Sequence, residues 1–158
     1  TILRYYNKRN ERWEKLSGQQ VADRCLAAAK GLAYLQLQPG DRVGIYSPNR
    51  VGCIATELGL FMMRAVSVPL YATSTPDQVE FIVQDAGVET MFVGGQFQYN
   101  NAYEVQLRGG CLRRLVIFDP EVVLAPGDTT SMYYGHCQPG PSHRSSSDHL
   151  YLGDYGTE

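Results

Sequence analysis

Four groups of side chains in this sequence are of types that can do chemistry. His136, Cys137, His143 and His149 lie close together near the C-terminal end. A metal centre needs ligands at recognisable spacings and held by structure. These spacings match no zinc pattern. A Cys/His nucleophile pair needs a base fixed within hydrogen-bond reach of the thiol, and the surrounding Ser-, Pro- and Gly-rich sequence offers nothing to fix it. Arg108, Arg113 and Arg114 flank Gly109 and Gly110, which reads as a solvated basic loop. Glu80, Asp85 and Glu89 are possible acid–base carboxylates. Glu80 and Asp85 do not share a helical face well, so solvated surface is the simpler expectation. The run Tyr71-Ala-Thr-Ser-Thr75 places hydroxyls just past an apolar strand. Ligands of open α/β sheets bind beyond such strand ends, yet a helix cap also accounts for these hydroxyls.

Nucleotide-binding signatures are absent from these residues. A phosphate loop needs glycines, so that backbone N–H groups approach the phosphates, together with a Lys. The chain has no Gly-x4-Gly-Lys-Ser/Thr sequence. A dinucleotide fingerprint would follow a strand and open a helix. The two places where it could stand read Ser47-Pro-Asn-Arg-Val-Gly52 and Gly94-Gly-Gln-Phe-Gln-Tyr99. Neither matches, and their glycines read as turn formers. No catalytic, cofactor-binding or metal-binding residue is therefore assigned.

The elements that would have to position any such group are legible. Asp41 to Tyr71 reads as strand, helix, strand. Val43 and Ile45 alternate with Gly44 and Tyr46, Pro48 breaks the strand, and Asn49 is a candidate cap. Residues 51–63 are almost wholly apolar, which predicts a helix buried on nearly all sides. Val66, Val68 and Leu70 mark the next strand. Upstream, 1–12 reads as a polar lead-in and Trp13–Leu16 as a short strand. Ser17 and Gln20 form a capping-box pattern before an amphipathic helix carrying Val21, Cys25, Ala28, Leu32 and Leu35. Downstream, Thr75-Pro-Asp77 starts a helix that Gly87 ends. Residues 88–93 form a strand, 96–107 a weaker helix and 115–118 a last apolar strand. This alternation predicts an α/β fold, a mostly parallel sheet with helices on both faces. It spans residues 1–124. Residues 125–158 hold few large aliphatic side chains and read as an irregular or disordered tail.

Composition narrows the class further. The chain has 158 residues and a net charge of −2, which gives no overall electrostatic bias toward nucleic acid or an anionic membrane. Cys25, Cys53, Cys111 and Cys137 are scattered, as in a reducing, cytoplasmic compartment. The apolar run at 51–63 is too short to span a bilayer. Neither a transmembrane segment nor a signal peptide is expected.

Several stretches together resemble the N-terminal part of the AMP-forming acyl-CoA synthetases, the adenylate-forming superfamily. They are Trp13-Glu-Lys-Leu-Ser17, Leu37-Gln-Pro-Gly-Asp-Arg-Val-Gly-Ile-Tyr-Ser-Pro-Asn49, Glu57-Leu-Gly-Leu60, Arg64-Ala-Val-Ser-Val-Pro-Leu-Tyr-Ala-Thr-Ser74, Gln78–Asp85 and Met91-Phe-Val-Gly94. The wording Val-Pro-Leu-Tyr-Ala-Thr-Ser is most similar to the bacterial long-chain fatty acid branch. Arg64 stands where that family commonly has Gly. The resemblance implies a two-step ligase that uses a fatty acid, ATP, Mg²⁺ and coenzyme A. The family's phosphate loop, like Tyr-Thr-Ser-Gly-Thr-Thr-Gly-x-Pro-Lys-Gly, has no counterpart in the 158 residues. The expectation is thus a fragment of a long-chain fatty acid–CoA ligase that is inactive alone. A non-catalytic stand-alone binding or scaffold module of the same fold is the alternative, as is a fragment of another adenylate-forming enzyme.

Overall fold

The computed structural model describes residues 2–7 and 10–137. The elements follow from local chemistry. Leu3–Asn7 (β1) and Arg12–Leu16 (β2) pair antiparallel, with Tyr6 opposite Trp13. Residues 1–12 are therefore more than a lead-in: alternation at Leu3, Tyr5 and Asn7 supplies a strand. Ser17 then caps helix α1 (Gly18–Tyr34), and Gln20 completes the capping box. Thr75 and Gln78 do the same for α3 (Pro76–Ala86), which Gly87 ends at a φ of 65°. Only a residue tolerant of the left-handed region suits that position. Helix α2 (Val51–Met62) starts from Arg50, whose side chain makes no capping bond. Asn49, the expected cap, lies one residue too early and is exposed.

Five strands form one parallel sheet. They are β3 (Arg42–Tyr46), β4 (Val66–Leu70), β5 (Thr90–Val93), β6 (Arg114–Ile117) and β7 (Met132–Tyr133), in the order β4-β3-β5-β6-β7. Alternate residues of each strand enter opposite layers. On one face Val43, Ile45, Phe92 and Val116 pack with Leu32 of α1 and with Cys53 and Leu60 of α2. On the other face Met91, Val93, Leu115 and Ile117 pack with Val79 and Val83 of α3 and with Tyr99 and Val105 of α4 (Gln96–Leu107). The α/β architecture with both faces covered is as expected.

Two differences from the sequence reading are informative. Within 125–137, β7 pairs with β6, and the turn Tyr134–Cys137 buries both of its end residues. Aromatic contacts do this work: Tyr134 packs against Phe92 and Phe118, with ring centroids 5.9 and 5.1 Å away. Large aliphatic residues, the signal missing there, are not required. Second, α2 is not buried all round. Ile54, Leu58, Phe61 and Met62 are exposed, the last two by 60% and 58%. The sheet and α1 cover only the face that holds Gly52, Ala55, Thr56 and Gly59.

Candidate functional site

A parallel sheet presents its crevice where neighbouring strands send their connections to opposite faces. Here β3 leads to α2 on one face and β5 leads to α4 on the other, so the crevice lies past Tyr46 and Val93. The segments leaving β3 and β5 approach each other closely there. The Gly94 N–H donates to the Tyr46 carbonyl at 2.9 Å. A side chain at Gly94 would put its Cβ 2.6 Å from Ser47 Oγ and 2.9 Å from Pro48 Cδ. Ser47 and Pro48 thus approach Gly94 too closely to admit any side chain there. Beside it, Arg50 is buried with its guanidinium 5.8 Å from the Phe118 ring centroid. Cys53 lies one turn into α2. Burial pushes its thiol pKa up, against the opposing pull of Ser47 and of the Arg50 charge. A raised pKa and burial make it a packing residue rather than a nucleophile.

The hydroxyl-rich run 71–75 is held from below by a polar network. Tyr46 Oη donates to the Ser74 carbonyl at 2.5 Å, and Asn101 Nδ2 donates to Tyr46 Oη at 3.0 Å. Gln98 Nε2 donates to the Ala72 carbonyl at 2.8 Å, while its Oε1 accepts from the Gly95 N–H at 3.0 Å. Burial raises the Tyr46 pKa, with Asn101 opposing. These bonds satisfy buried groups that would otherwise cost free energy. Thr75 Oγ1 accepts from the Gln78 N–H at 3.4 Å. The Thr75 hydroxyl thus caps α3, and the Ala72 and Ser74 carbonyls tie the loop to α4 and β3.

Outside the loop lies an open hollow of about 620 Å³, lined by residues including Tyr71, Thr73, Asp77, Phe81 and Ile82. Its one carboxylate, Asp77, accepts from Arg108 Nη1 at 2.7 Å. Arg108 also meets Glu80 and Glu104 at 2.7 Å each, and the bonds to Asp77 first, then to Glu80 and Glu104, hold its guanidinium pKa above the usual value. The structure so joins Arg108 and Glu80, two residues that the sequence treated as separate solvated surface. They fasten α3 to α4. Arg114 Nη1 donates to the Leu35 carbonyl at 2.8 Å, while Arg113, Asp85 and Glu89 are exposed.

At the end of the described chain, the His136 ring meets the Tyr133 ring edge-on. Cys137 is buried, and burial lifts its thiol to about 11 against the opposing charge of Arg114. His143 and His149 lie outside the described residues. Among the described residues no three His, Cys, Asp or Glu side chains gather to hold a metal. Thr75 and Gln98 accept from N–H groups at the starts of α3 and α4.

Comparison with known proteins gives this scaffold its family. Residues 2–151 match the family of AMP-binding enzymes. Over 80 residues the chain is 35% identical to the long-chain-fatty-acid–CoA ligase FadD15 of Mycobacterium tuberculosis, a match covering 51% of this chain and 13% of that protein. Over 87 residues it is 32% identical to the long-chain-fatty-acid–CoA ligase ACSBG2 of Mus musculus, covering 55% of this chain and 13% of the relative. The matched stretch is thus a small part of each relative's length. Among solved structures, the fold is similar to coronafacic acid ligase of Pectobacterium brasiliense, with a TM-score of 0.70 and 16% identity over 85% of this chain and 26% of that one. It is similar to the anthranilate CoA ligase AuaEII, in complex with anthranoyl-AMP, with a TM-score of 0.64 and 16% identity over 75% of this chain and 22% of that one. The α/β fold, with residues 2–151 of the 158 matched by one family model, places this chain in the AMP-binding enzyme family.

Proposed function

We propose that these residues are the N-terminal α/β scaffold of a long-chain fatty acid–CoA ligase and are catalytically silent by themselves. In the complete reaction a fatty acid carboxylate oxygen attacks the α-phosphorus of ATP, and pyrophosphate leaves. The coenzyme A thiolate then attacks the acyl carbon, and AMP leaves. Activation rests on making AMP the leaving group, with Mg²⁺ stabilising charge on the phosphates. The scaffold's part is to hold the sheet against which the catalytic loops of such an enzyme are built. The observation that carries this reading is the 35% identity to a long-chain ligase over 80 residues. The four free cysteines fit a reducing, cytoplasmic setting. No helix among the described residues is long and apolar enough to cross a membrane.

Two measurements test it. ATP–pyrophosphate exchange by the purified 158-residue chain with palmitate should not exceed the buffer blank; sustained exchange overturns catalytic silence. The coding DNA around residues 135–158 should contain a Ser/Thr/Gly loop ending in Pro-Lys-Gly in one of its three frames. Its absence from every frame would favour a stand-alone module of the same fold. The exposed α2 stripe of Ile54, Leu58, Phe61 and Met62 supports the ligase reading, because a scaffold face inside a larger enzyme has this character.

A further inference from the structure

The whole chain is weakly acidic, but its charge is not evenly spread. Residues 1–16 hold five cations, Arg4, Lys8, Arg9, Arg12 and Lys15, against two carboxylates, Glu11 and Glu14. Such asymmetry in one segment points to an anionic partner. The antiparallel register then sorts these residues. Arg4 stands opposite Lys15 and Tyr6 opposite Trp13, so all four project from one face of the β1–β2 hairpin. Glu14 belongs to the other face, where it accepts from Tyr5 Oη at 2.6 Å. Glu11 sits in the turn.

The face is also apolar at its centre. Trp13 is 63% exposed and Tyr6 39%, while Ile2 beside them is 72% exposed. The Tyr6 ring meets Trp13 edge-on at 5.8 Å, and the Arg4 guanidinium lies 5.8 Å from the Trp13 centroid. This arrangement holds the indole in place on the surface.

From this juxtaposition we infer that the hairpin is a docking surface for an anionic phospholipid bilayer. Trp and Tyr favour the headgroup region, where an apolar ring and a polar tip are both satisfied. Arg4 and Lys15 meet lipid phosphates, and basic residues beside a membrane draw on its negative surface potential. A single-stranded nucleic acid fits less well. Base stacking needs an open ring face, whereas Arg4 already lies over Trp13, and an exposed Ile2 serves a hydrocarbon better than a base. The inference is independent of the ligase reading.

Trp13 is the only tryptophan, so its fluorescence reports the hairpin alone. The 158-residue chain is titrated with phosphatidylcholine vesicles and with vesicles in which about a third of the lipid is phosphatidylglycerol. The expected result is a blue shift, and quenching by brominated lipid, on the anionic vesicles only, reversed by salt. Lys15→Glu and the double change Arg4→Glu with Lys15→Glu should weaken binding, the double change by about tenfold or more, with far-UV circular dichroism unchanged. Lys15→Glu leaves the Arg4–Trp13 contact intact, so it tests charge without disturbing the indole. Equal binding to neutral and anionic vesicles would point to the apolar α2 stripe and overturn the inference. So would an unshifted indole, or a shift on oligothymidylate in place of vesicles.

Discussion

Glu14 shows how a surface carboxylate acquires a strong bias from its partners. Hydrogen bonds from Tyr5, then from Asn10, lower its pKa to about 2. A carboxylate whose pKa falls on folding stabilises the folded form above its unfolded value, and that contribution is lost as pH drops toward the folded one. The hairpin should therefore loosen between about pH 4.5 and pH 2. Trp13 emission should report this before the far-UV signal of the helices changes, and Glu14→Gln should remove the transition. Tyr99 is a buried counterpart. Its hydroxyl donates to Asp128 Oδ2 at 2.7 Å and accepts from the Ala125 N–H at 2.8 Å. Burial first, then the Asp128 hydrogen bond, raise its pKa to about 12. Tyr99→Phe leaves both partners short of a bond and should cost about 1–3 kcal/mol in urea unfolding. Tyr99 could be read from the sequence as helical, but its partners could not. They lie 29 and 26 residues away, and nothing local to Asp128 or Ala125 announces the pairing.

Helix ends and crossings carry most of the positional information among the elements. Thr75 caps α3 through the Gln78 N–H, so Thr75→Ala should lower stability by about 1 kcal/mol, read as a reduced urea midpoint with an unchanged slope. The Thr-Pro-Asp pattern announces this cap because its chemistry is confined to neighbouring residues. Gly94 is different. Its sequence context, Gly94-Gly95, reads as a turn, yet it has no left-handed φ. Its role is close approach to Ser47 and Pro48. Gly94→Ala should therefore destabilise by about 1–3 kcal/mol, whereas an alanine at a position needing only turn freedom would be limited by φ. Comparing the melting of Gly94→Ala with that of Gly87→Ala, where φ is 65°, separates steric contact from backbone strain. The loop 119–131 is fastened to α4 in the same long-range manner, through Gln96 to Val123 in both directions at 2.8 and 3.1 Å.

Across the whole molecule the sheet has two unequal edges. On β4 the Val66 N–H faces β3, donating to the Asp41 carbonyl at 2.8 Å. By alternation Ser67 and Pro69 face outward, and Pro69 lacks an N–H. Proline on an outer strand blunts it against further pairing. The α2 stripe is the larger liability. Leu58→Glu or Phe61→Glu should raise the solubility of the isolated chain and sharpen its size-exclusion peak without lowering its melting temperature. Both side chains are exposed, and burial is what makes a polar substitution costly. A loss of melting temperature would show that these residues pack within the monomer.

The sequence by itself determined the succession of strands and helices from β2 to β6, the caps at Ser17 and Thr75, and the family likeness, because propensity, capping and apolar periodicity act over a few residues. Its alternation of strands with helices also set the two-faced sheet. Only the tertiary structure decided that Ser47 and Pro48 pack closely against Gly94 past β3 and β5. It also decided that Arg108 gathers Asp77, Glu80 and Glu104, and that Arg4, Tyr6, Trp13 and Lys15 share one face. Each of these depends on strand register or helix packing, which brings together residues whose separation along the chain conceals their contact.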